Sequence, residues 1–271
     1  MGKWKQRWQV TWTWTRRIFL AAVALAGVVL AASVFQAAYR WSRSSEMFRL
    51  REVEYRGAKH FPVEAFNAVL LRTVGRNLLY ADLERVRALL EAEPWVKEAY
   101  VRRRLPDRLT VVIVEREPVA VATVDGELYV VDAEGVLLDR FGGNYAFLEG
   151  PVVTGLESPA RSGAREANAR RLQAYLALVR DFEQADPELL RKVSEVDVAD
   201  PRRVGIILAD DPVPIYLGSG EFFAHFERFR RFRAIYEELK SQYGVVEYVD
   251  VSLEDKVIVH TPELAAARPG S

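Results

Sequence analysis

The sequence predicts an α+β protein: a single transmembrane helix, then a β-α-α-β-β domain, then a second α+β domain with a mainly antiparallel sheet. Three observations predict it. Charge is segregated along the chain, the stretch Ile18 to Ala38 carries none, and the roughly 70 residues from Leu50 run strand, helix, helix, strand, strand before hairpin signals begin.

The 271 residues hold 38 basic and 38 acidic side chains, and the zero net charge hides the segregation. Up to Arg43 the charged residues are Lys3, Lys5, Arg7, Arg16, Arg17, Arg40 and Arg43, and the first acid is Glu46. That segment carries +7; the remaining 31 basic residues face 38 acids, so the rest carries −7. Trp4, Trp8, Trp12, Trp14 and Trp41 share the basic segment, leaving only Trp95 outside it. Two solvents are implied.

Ile18 to Ala38 reads IFLAAVALAGVVLAASVFQAA. At about 1.5 Å per residue, a helix of this length matches the roughly 30 Å hydrocarbon core of a bilayer. Its Ile, Leu, Val and Phe side chains, among them Ile18, Phe19, Leu20, Leu25, Val29, Leu30 and Phe35, favour insertion by roughly 3 to 6 kcal/mol. Ser33 and Gln36 oppose it weakly. The run exceeds the h-region of a signal peptide, about 7 to 15 residues, and tryptophans flank it as interfacial anchors do. A retained anchor over 18–39 is therefore expected, Ala31-Ala32-Ser33 being the stretch a signal peptidase would need. Five Lys or Arg precede the span with no acid among them, while Arg40, Arg43, Arg49 and Arg51 follow it, a real but modest positive-inside bias. Residues 1–17 are too few for a domain, and roughly 230 residues follow, so the expected topology is a cytoplasmic tail with the bulk outside. Trp4, Trp8 and Trp12 recur every four residues, compatible with a helix on the inner membrane surface or with an unstructured tail carrying belt aromatics. The absence of cysteine permits an oxidising compartment without requiring one.

In the first domain, Leu50 to Tyr55 forms a short strand with Val53 and Tyr55 on one face, closed by Gly57. Pro62 can open a helix carrying Phe66, Val69 and Leu70. Asp82 is an N-cap for a second helix with Leu83, Val86, Leu89 and Leu90, stopped at Pro94. Val96 to Arg103 and Leu109 to Glu115 then read as strands around Leu105-Pro106-Asp107.

These residues carry a resemblance. VEYRG, the run GRNLLYADLERVRALLEAEPWVKEAYVRRRLPDRLTVVIVEREPVA and LGSGE at Leu217 to Glu221 resemble the bacterial cell-division family FtsQ, called DivIB in some bacteria. The resemblance implies that 45–116 is a POTRA domain, an interaction fold. It implies a bacterial inner-membrane, single-pass type II protein at the division septum, with other division proteins meeting the POTRA-like domain.

The second domain, 117–262, shows a hairpin over Val119 to Val131 turning at Asp125-Gly126, and a further turn through Gly135 into Val136 to Leu138. A glycine-containing loop through Gly142, Gly143 and Gly150 follows. Arg165 to Phe182 is helical, with Leu172, Tyr175, Leu176 and Val179 on one face. Strands are expected at Val193 to Val198, Val204 to Leu208 and Val213 to Leu217, then a helix from Glu221 to about Gln242, then strands at Tyr248 to Val251 and Lys256 to His260. The tail 263–271 has no apolar pattern and is expected to be disordered.

No constellation for catalysis stands out. Asp210-Asp211 precedes Pro212 in a turn, Glu237-Glu238 lies on an arginine-rich helix, and glycan cleavage needs two carboxylates several ångströms apart across a sugar. His60, His225 and His260 are isolated, so neither a metal nor another cofactor is expected. Gly218 and Gly220 suit a tight strand-to-helix turn; a phosphate loop would need a following lysine where Glu221 stands. Arg228, Arg230, Arg231 and Arg233 read as a solvated face behind the stripe Phe222, Phe226, Phe229, Phe232, Tyr236 and Leu239, and no nucleic acid partner is expected.

The last strand is the informative element. Lys256-Val257-Ile258-Val259-His260 is strongly β-forming, and Pro262 stops it. It fits a sheet edge open to β-augmentation and equally a strand in the middle of a sheet. The resemblance implies the former, with the FtsB–FtsL pair held through Tyr248, Val251, Leu253, Lys256, Val257, Ile258, Val259 and His260. The family pattern has Asp-Leu-Arg where this chain has Asp250-Val251-Ser252, and an aromatic where it has Leu253. Backbone pairing depends on neither side chain. The expected function is thus a non-enzymatic, membrane-anchored scaffold of the division machinery; the alternatives are a cell-wall glycan-acting enzyme and a POTRA-bearing secretion or chaperone component. Nothing after Gly126 supplies the repeated ten-residue lipid-facing strands of a membrane barrel.

Overall fold

A computed structural model describes residues 3–74, 77–145 and 147–262. The expected disordered tail, 263–271, lies outside the described residues, as do the side chains of Trp4, Trp8, Trp12 and Ile18. The chain divides into two compact units, Met1–Glu115 and Arg116–Ser271.

Helix α1 (Lys3–Ser44) is continuous, so the tryptophan-rich segment extends the apolar helix at its N-terminal end. Its part Phe19–Ser44 is long and apolar enough to cross a membrane, with a mean hydropathy of 2.2. Phe19, Leu20, Leu25, Val29, Leu30 and Phe35 are all exposed, and so much uncovered apolar surface calls for lipid around it. The helix outlasts its apolar stretch because its last carbonyls are satisfied. Ser42 Oγ donates to Tyr39 O (2.9 Å) and Ser45 N–H to Trp41 O (2.9 Å). Asn77 Nδ2, from the globular part, donates to Ser42 O (2.5 Å) and Arg43 O (3.1 Å).

The globular part of this unit is built from β1 (Glu52–Arg56), α2 (Val63–Val74), α3 (Leu83–Glu91), β2 (Val96–Arg104) and β3 (Arg108–Glu115). The sheet order is β1-β3-β2, with β1 parallel and β2 antiparallel to β3. Strand alternation sends Leu109, Val111 and Ile113 inward, while Val112 and Val114 face solvent. Phe66, Leu70 and Val74 of α2 and Val86 and Leu90 of α3 complete the core. Val69, expected on the buried face, is 43% exposed. The stripe runs 66, 70, 74, and position 69 falls about 100° from its centre. Gly57, at φ +82°, admits no side chain, since a Cβ there would lie 2.2 Å from Ile113 O.

Glu115 ends β3 and holds the loop that leads into α2. Its Oε1 accepts the backbone N–H groups of Lys59 (2.6 Å), His60 (2.7 Å) and Phe61 (2.9 Å), while Oε2 lies 3.0 Å from His60 Nδ1. The His60 ring stacks on Trp95 at 4.5 Å. Burial would raise the Glu115 carboxyl, but these donors outweigh it and hold its pKa below the usual value.

The second unit opens with Arg116, whose guanidinium lies 2.7 Å from both Asp132 and Glu134. Its strands are β4 (Pro118–Val124), β5 (Glu127–Asp132), β6 (Leu137–Arg140), β7 (Val152–Thr154), β8 (Val193–Asp197), β9 (Val204–Leu208), β10 (Asp211–Gly218), β11 (Tyr248–Asp250) and β12 (Ile258–His260). Its helices are α4 (Ala164–Ala185), α5 (Pro187–Leu190) and α6 (Phe222–Tyr243). The nine strands form one mixed, mostly antiparallel sheet in the order β12-β11-β10-β9-β8-β7-β4-β5-β6. Asp125 and Gly126 both have positive φ, as a two-residue hairpin turn requires. Three-residue β7, absent from the sequence reading, pairs parallel with β4 and β8 and so joins the two halves of the sheet. Leu172, Tyr175, Leu178 and Phe182 of α4 and Phe222, Phe226, Phe229 and Tyr236 of α6 are buried in one cluster with Val196, Ile206, Ile215 and Val249 of the sheet.

Because Glu115 titrates low in the folded chain, its contribution to stability is complete above the ordinary carboxylate range and is lost as pH falls through its folded pKa. Replacing it, Glu115→Gln, is expected to cost about 1 to 3 kcal/mol at neutral pH. In guanidinium unfolding of the detergent-solubilised chain, the gap between variant and parent should narrow as pH falls below the ordinary carboxylate range; a gap unchanged with pH contradicts the assignment.

Candidate partner-binding edge

Among the described residues, the outer strand of the sheet, β12, has a neighbour on one side only. It pairs antiparallel with β11 in the register Tyr248↔His260, Val249↔Val259 and Asp250↔Ile258. β11 runs parallel to β10 through Ile215↔Val249 and Tyr216↔Asp250. The His260 carbonyl accepts Glu247 N–H at 2.8 Å, so it points toward β11. In an antiparallel ladder a residue's N–H and C=O point to the same side and neighbours alternate. Ile258 therefore also turns inward, and Val259 turns its N–H and C=O away from the sheet.

Three local features fix this edge. The LGSGE segment is a strand-to-helix turn, with Gly218, Gly220 and Glu221 all at positive φ. A Cβ at Gly218 would stand 2.7 Å from Ser252 Cβ, so the missing side chain makes room for the loop after β11. Within that loop Ser252 donates to Asp250 Oδ1 through its N–H (3.0 Å) and its Oγ (2.6 Å). Finally, Arg228 of α6 donates from one guanidinium nitrogen to Val251 O (2.7 Å) and Leu253 O (2.5 Å), satisfying carbonyls that no strand partners.

The residues singled out from sequence divide into three groups. Tyr248, Val259 and His260 lie together on the last two strands and are half-buried, and Ile258 is 39% exposed. Leu253 and Lys256 are exposed in the loop, and Val257 is half-buried beside the core. The strand is therefore shorter than the expected Lys256 to His260: Lys256 and Val257 precede it, because the loop held by Arg228 turns back only at Ile258. Val251 is fully buried, so its side chain is closed to any partner.

Sequence reasoning missed a row of side chains that runs from the turn just before β9 across β10, β11 and β12. The Arg203 guanidinium lies 3.7 Å from the Tyr216 ring, Tyr216 meets Tyr248 edge-on at 5.6 Å, and Tyr248 stacks on His260 at 4.9 Å and 7°. Arg203 also lies 3.5 Å from Asp250. The period-two alternation of Tyr216 against Ile215 was a signal for this face. Arg228 left no such signal, being of the same type as its solvated neighbours.

The acid pair at 210–211 has a local role. Asp211 accepts the Tyr236 hydroxyl (2.7 Å), Lys240 Nζ (3.0 Å) and Val213 N–H (3.2 Å), which ties the start of β10 to α6. Burial would raise its carboxyl, but these donors outweigh it and hold it below the usual value. Among the described residues, no group of three His, Asp or Glu is gathered as a metal site would need.

A helix apt to cross a membrane, a β-α-α-β-β unit and an open mixed sheet define a POTRA-bearing, membrane-anchored protein. The family model "POTRA domain, FtsQ-type" matches residues 48–116, and "Cell division protein FtsQ/DivIB, C-terminal" matches residues 120–252. The chain is 30% identical over 262 residues to the cell division protein FtsQ of Koribacter versatilis (strain Ellin345), covering 93% of this chain and 73% of that one. It is 32% identical over 224 residues to the FtsQ of Geotalea daltonii, covering 82% and 78%. The FtsQ of Syntrophotalea carbinolica is 26% identical over 238 residues, covering 88% and 82%. The chain belongs to the FtsQ family of cell-division proteins.

Arg228→Ala should free the loop at a cost of about 1.5 to 3 kcal/mol, the range for hydrogen bonds from a charged donor. Hydrogen exchange is the readout: amides at 251–260 should exchange roughly ten- to a hundredfold faster while those of α4 stay protected. Unchanged exchange at 251–260 would show that the loop holds without the clamp.

Proposed function

We propose that this protein is a non-enzymatic scaffold of the division machinery, anchored by α1 with its N-terminus in the cytoplasm, that recruits FtsB, within the FtsB–FtsL pair, by strand addition to β12. The observation that carries the proposal is the free edge: Val259 presents an N–H and a C=O that no strand among the described residues receives, beside the exposed Ile258 and Leu253. Strand addition draws its affinity from such backbone groups and its specificity from alternate side chains. Arg228, Gly218 and the Asp250–Ser252 turn hold the edge in place before any partner arrives, which lowers the ordering cost of binding. Five Lys or Arg precede the span and four, Arg40, Arg43, Arg49 and Arg51, follow it closely, so the orientation rests mainly on residues 1–17 being too few for a domain. Confinement to the membrane raises the effective concentration toward other anchored partners, and the POTRA domain then meets further division proteins. The non-enzymatic reading is supported by Asp211, whose two oxygens are committed to α6 and its own strand.

Val259→Pro removes the outward donor and leaves the inward ladder intact, as proline on an edge strand allows. Its affinity for purified FtsB should fall by about 1 to 2 kcal/mol, roughly five- to thirtyfold, with the circular dichroism unchanged. Equal affinity of parent and variant would rule out pairing at this edge. A separate assay addresses catalysis: the purified chain should release no soluble fragments from peptidoglycan, and release that disappears in Asp211→Asn would establish an enzyme.

A further inference from the structure

The C-terminal end of α1 carries a second feature, whose interpretation rests on α1 being a membrane span. The apolar stretch ends at Ala38. The next five residues advance about 7.5 Å, against roughly 5 to 8 Å for the headgroup layer on one side of a bilayer, so Tyr39 to Arg43 fit within that layer.

There the Arg43 guanidinium stands 5.2 Å from the centre of the Tyr39 ring and 5.1 Å from that of Tyr80. The two rings meet edge to face at 5.8 Å and 80°. Tyr80 belongs to the globular part, and several bonds keep it there. Ser42 Oγ donates its proton to Tyr39 O, so the 2.7 Å bond between Ser42 Oγ and the Tyr80 hydroxyl has Tyr80 as donor. Asn77, three residues before Tyr80, binds the carbonyls of Ser42 and Arg43. Arg103 of β2 holds the same turn through Leu78 O (2.9 Å) and Ala81 O.

Arg43 differs in its partners from six other arginines of this unit. Arg49, Arg51, Arg56, Arg87, Arg104 and Arg108 each lie beside a carboxylate. Among the described residues, Arg43 has no carboxylate partner, and neither has Arg40, on the same helix face one turn nearer the apolar stretch. Trp41, 58% exposed, stands between them in sequence as a belt residue. The result is a planar cation oriented by two rings, at phosphate depth, with no acid to neutralise it.

We propose that Arg43, cradled by Tyr39 and Tyr80, is a binding site for the phosphate of an anionic phospholipid. A guanidinium fork matches phosphate oxygens in pairs, and the rings pre-orient the fork without competing for its N–H groups. Since Tyr80 belongs to the POTRA domain and Tyr39 to the span, a lipid bound there touches both and steadies the domain on the bilayer surface.

The test uses the full chain in phosphatidylcholine bilayers containing spin-labelled phosphatidylglycerol or phosphatidylcholine, reading the relative association of the two with the protein. The parent should prefer phosphatidylglycerol. Arg43→Gln should reduce that preference by up to about fivefold, the value of one arginine at an anionic surface. Tyr80→Leu, which keeps every charge, should also reduce it, whereas Arg49→Gln, removing a cation already paired with Glu46, should not. A preference unchanged in Arg43→Gln and Tyr80→Leu overturns the site. So does a preference abolished by an equal concentration of inorganic phosphate, which would mark a free-phosphate site. The absence of any motionally restricted lipid around the parent would instead refute the membrane span, and the site with it.

Discussion

An open sheet ends in backbone groups that no strand among the described residues satisfies, and the second unit is organised around where that end falls. Nine strands run from β6 to β12, and both outer strands are short, the usual defence against indiscriminate pairing. At β12 the chain goes further and holds the edge in one conformation. Arg228 satisfies the loop carbonyls that precede it, Gly218 leaves room for the loop, and Tyr248 stacks against His260. An edge short enough to avoid aggregation and rigid enough to bind is what strand addition requires.

The two units meet in sequence at Glu115 and Arg116, adjacent residues of opposite charge that do not pair with each other. Glu115 gathers three backbone donors in the first unit, and Arg116 bridges Asp132 and Glu134 in the second. Each residue anchors its own unit at the point where the chain passes from one to the other. The Glu115-Arg116 pair that ends the family-like PWV…ER segment thus has a physical meaning on each side of the boundary.

Features set by local pattern were legible in the sequence. The apolar run, the Asp82 cap, the Asp125-Gly126 turn and the β-branched run of β3 each depend on neighbours in sequence, and each appears as read. What was missed depends on distant contacts. β7 has only three residues and owes its existence to β4 and β8 on either side. Val69 carries the right chemistry but lies off the axis of a stripe set by Phe66, Leu70 and Val74. Arg228 looked like its solvated neighbours because its partners are backbone carbonyls 23 and 25 residues away. The candidate edge was therefore half visible: its strand propensity could be read, whereas its position in the sheet, its true start at Ile258 and the burial of Val251 required the fold.

The central claim is that the outward side of β12 is where a partner's strand is received. A photo-reactive amino acid placed at Ile258 in living cells tests it most directly, with the same probe at exposed Val112 of the first unit as comparison. The account predicts that position 258 captures a single chain, identified by mass spectrometry as FtsB, and that position 112 does not capture it. Capture of FtsB from position 112 with none from 258 would contradict it.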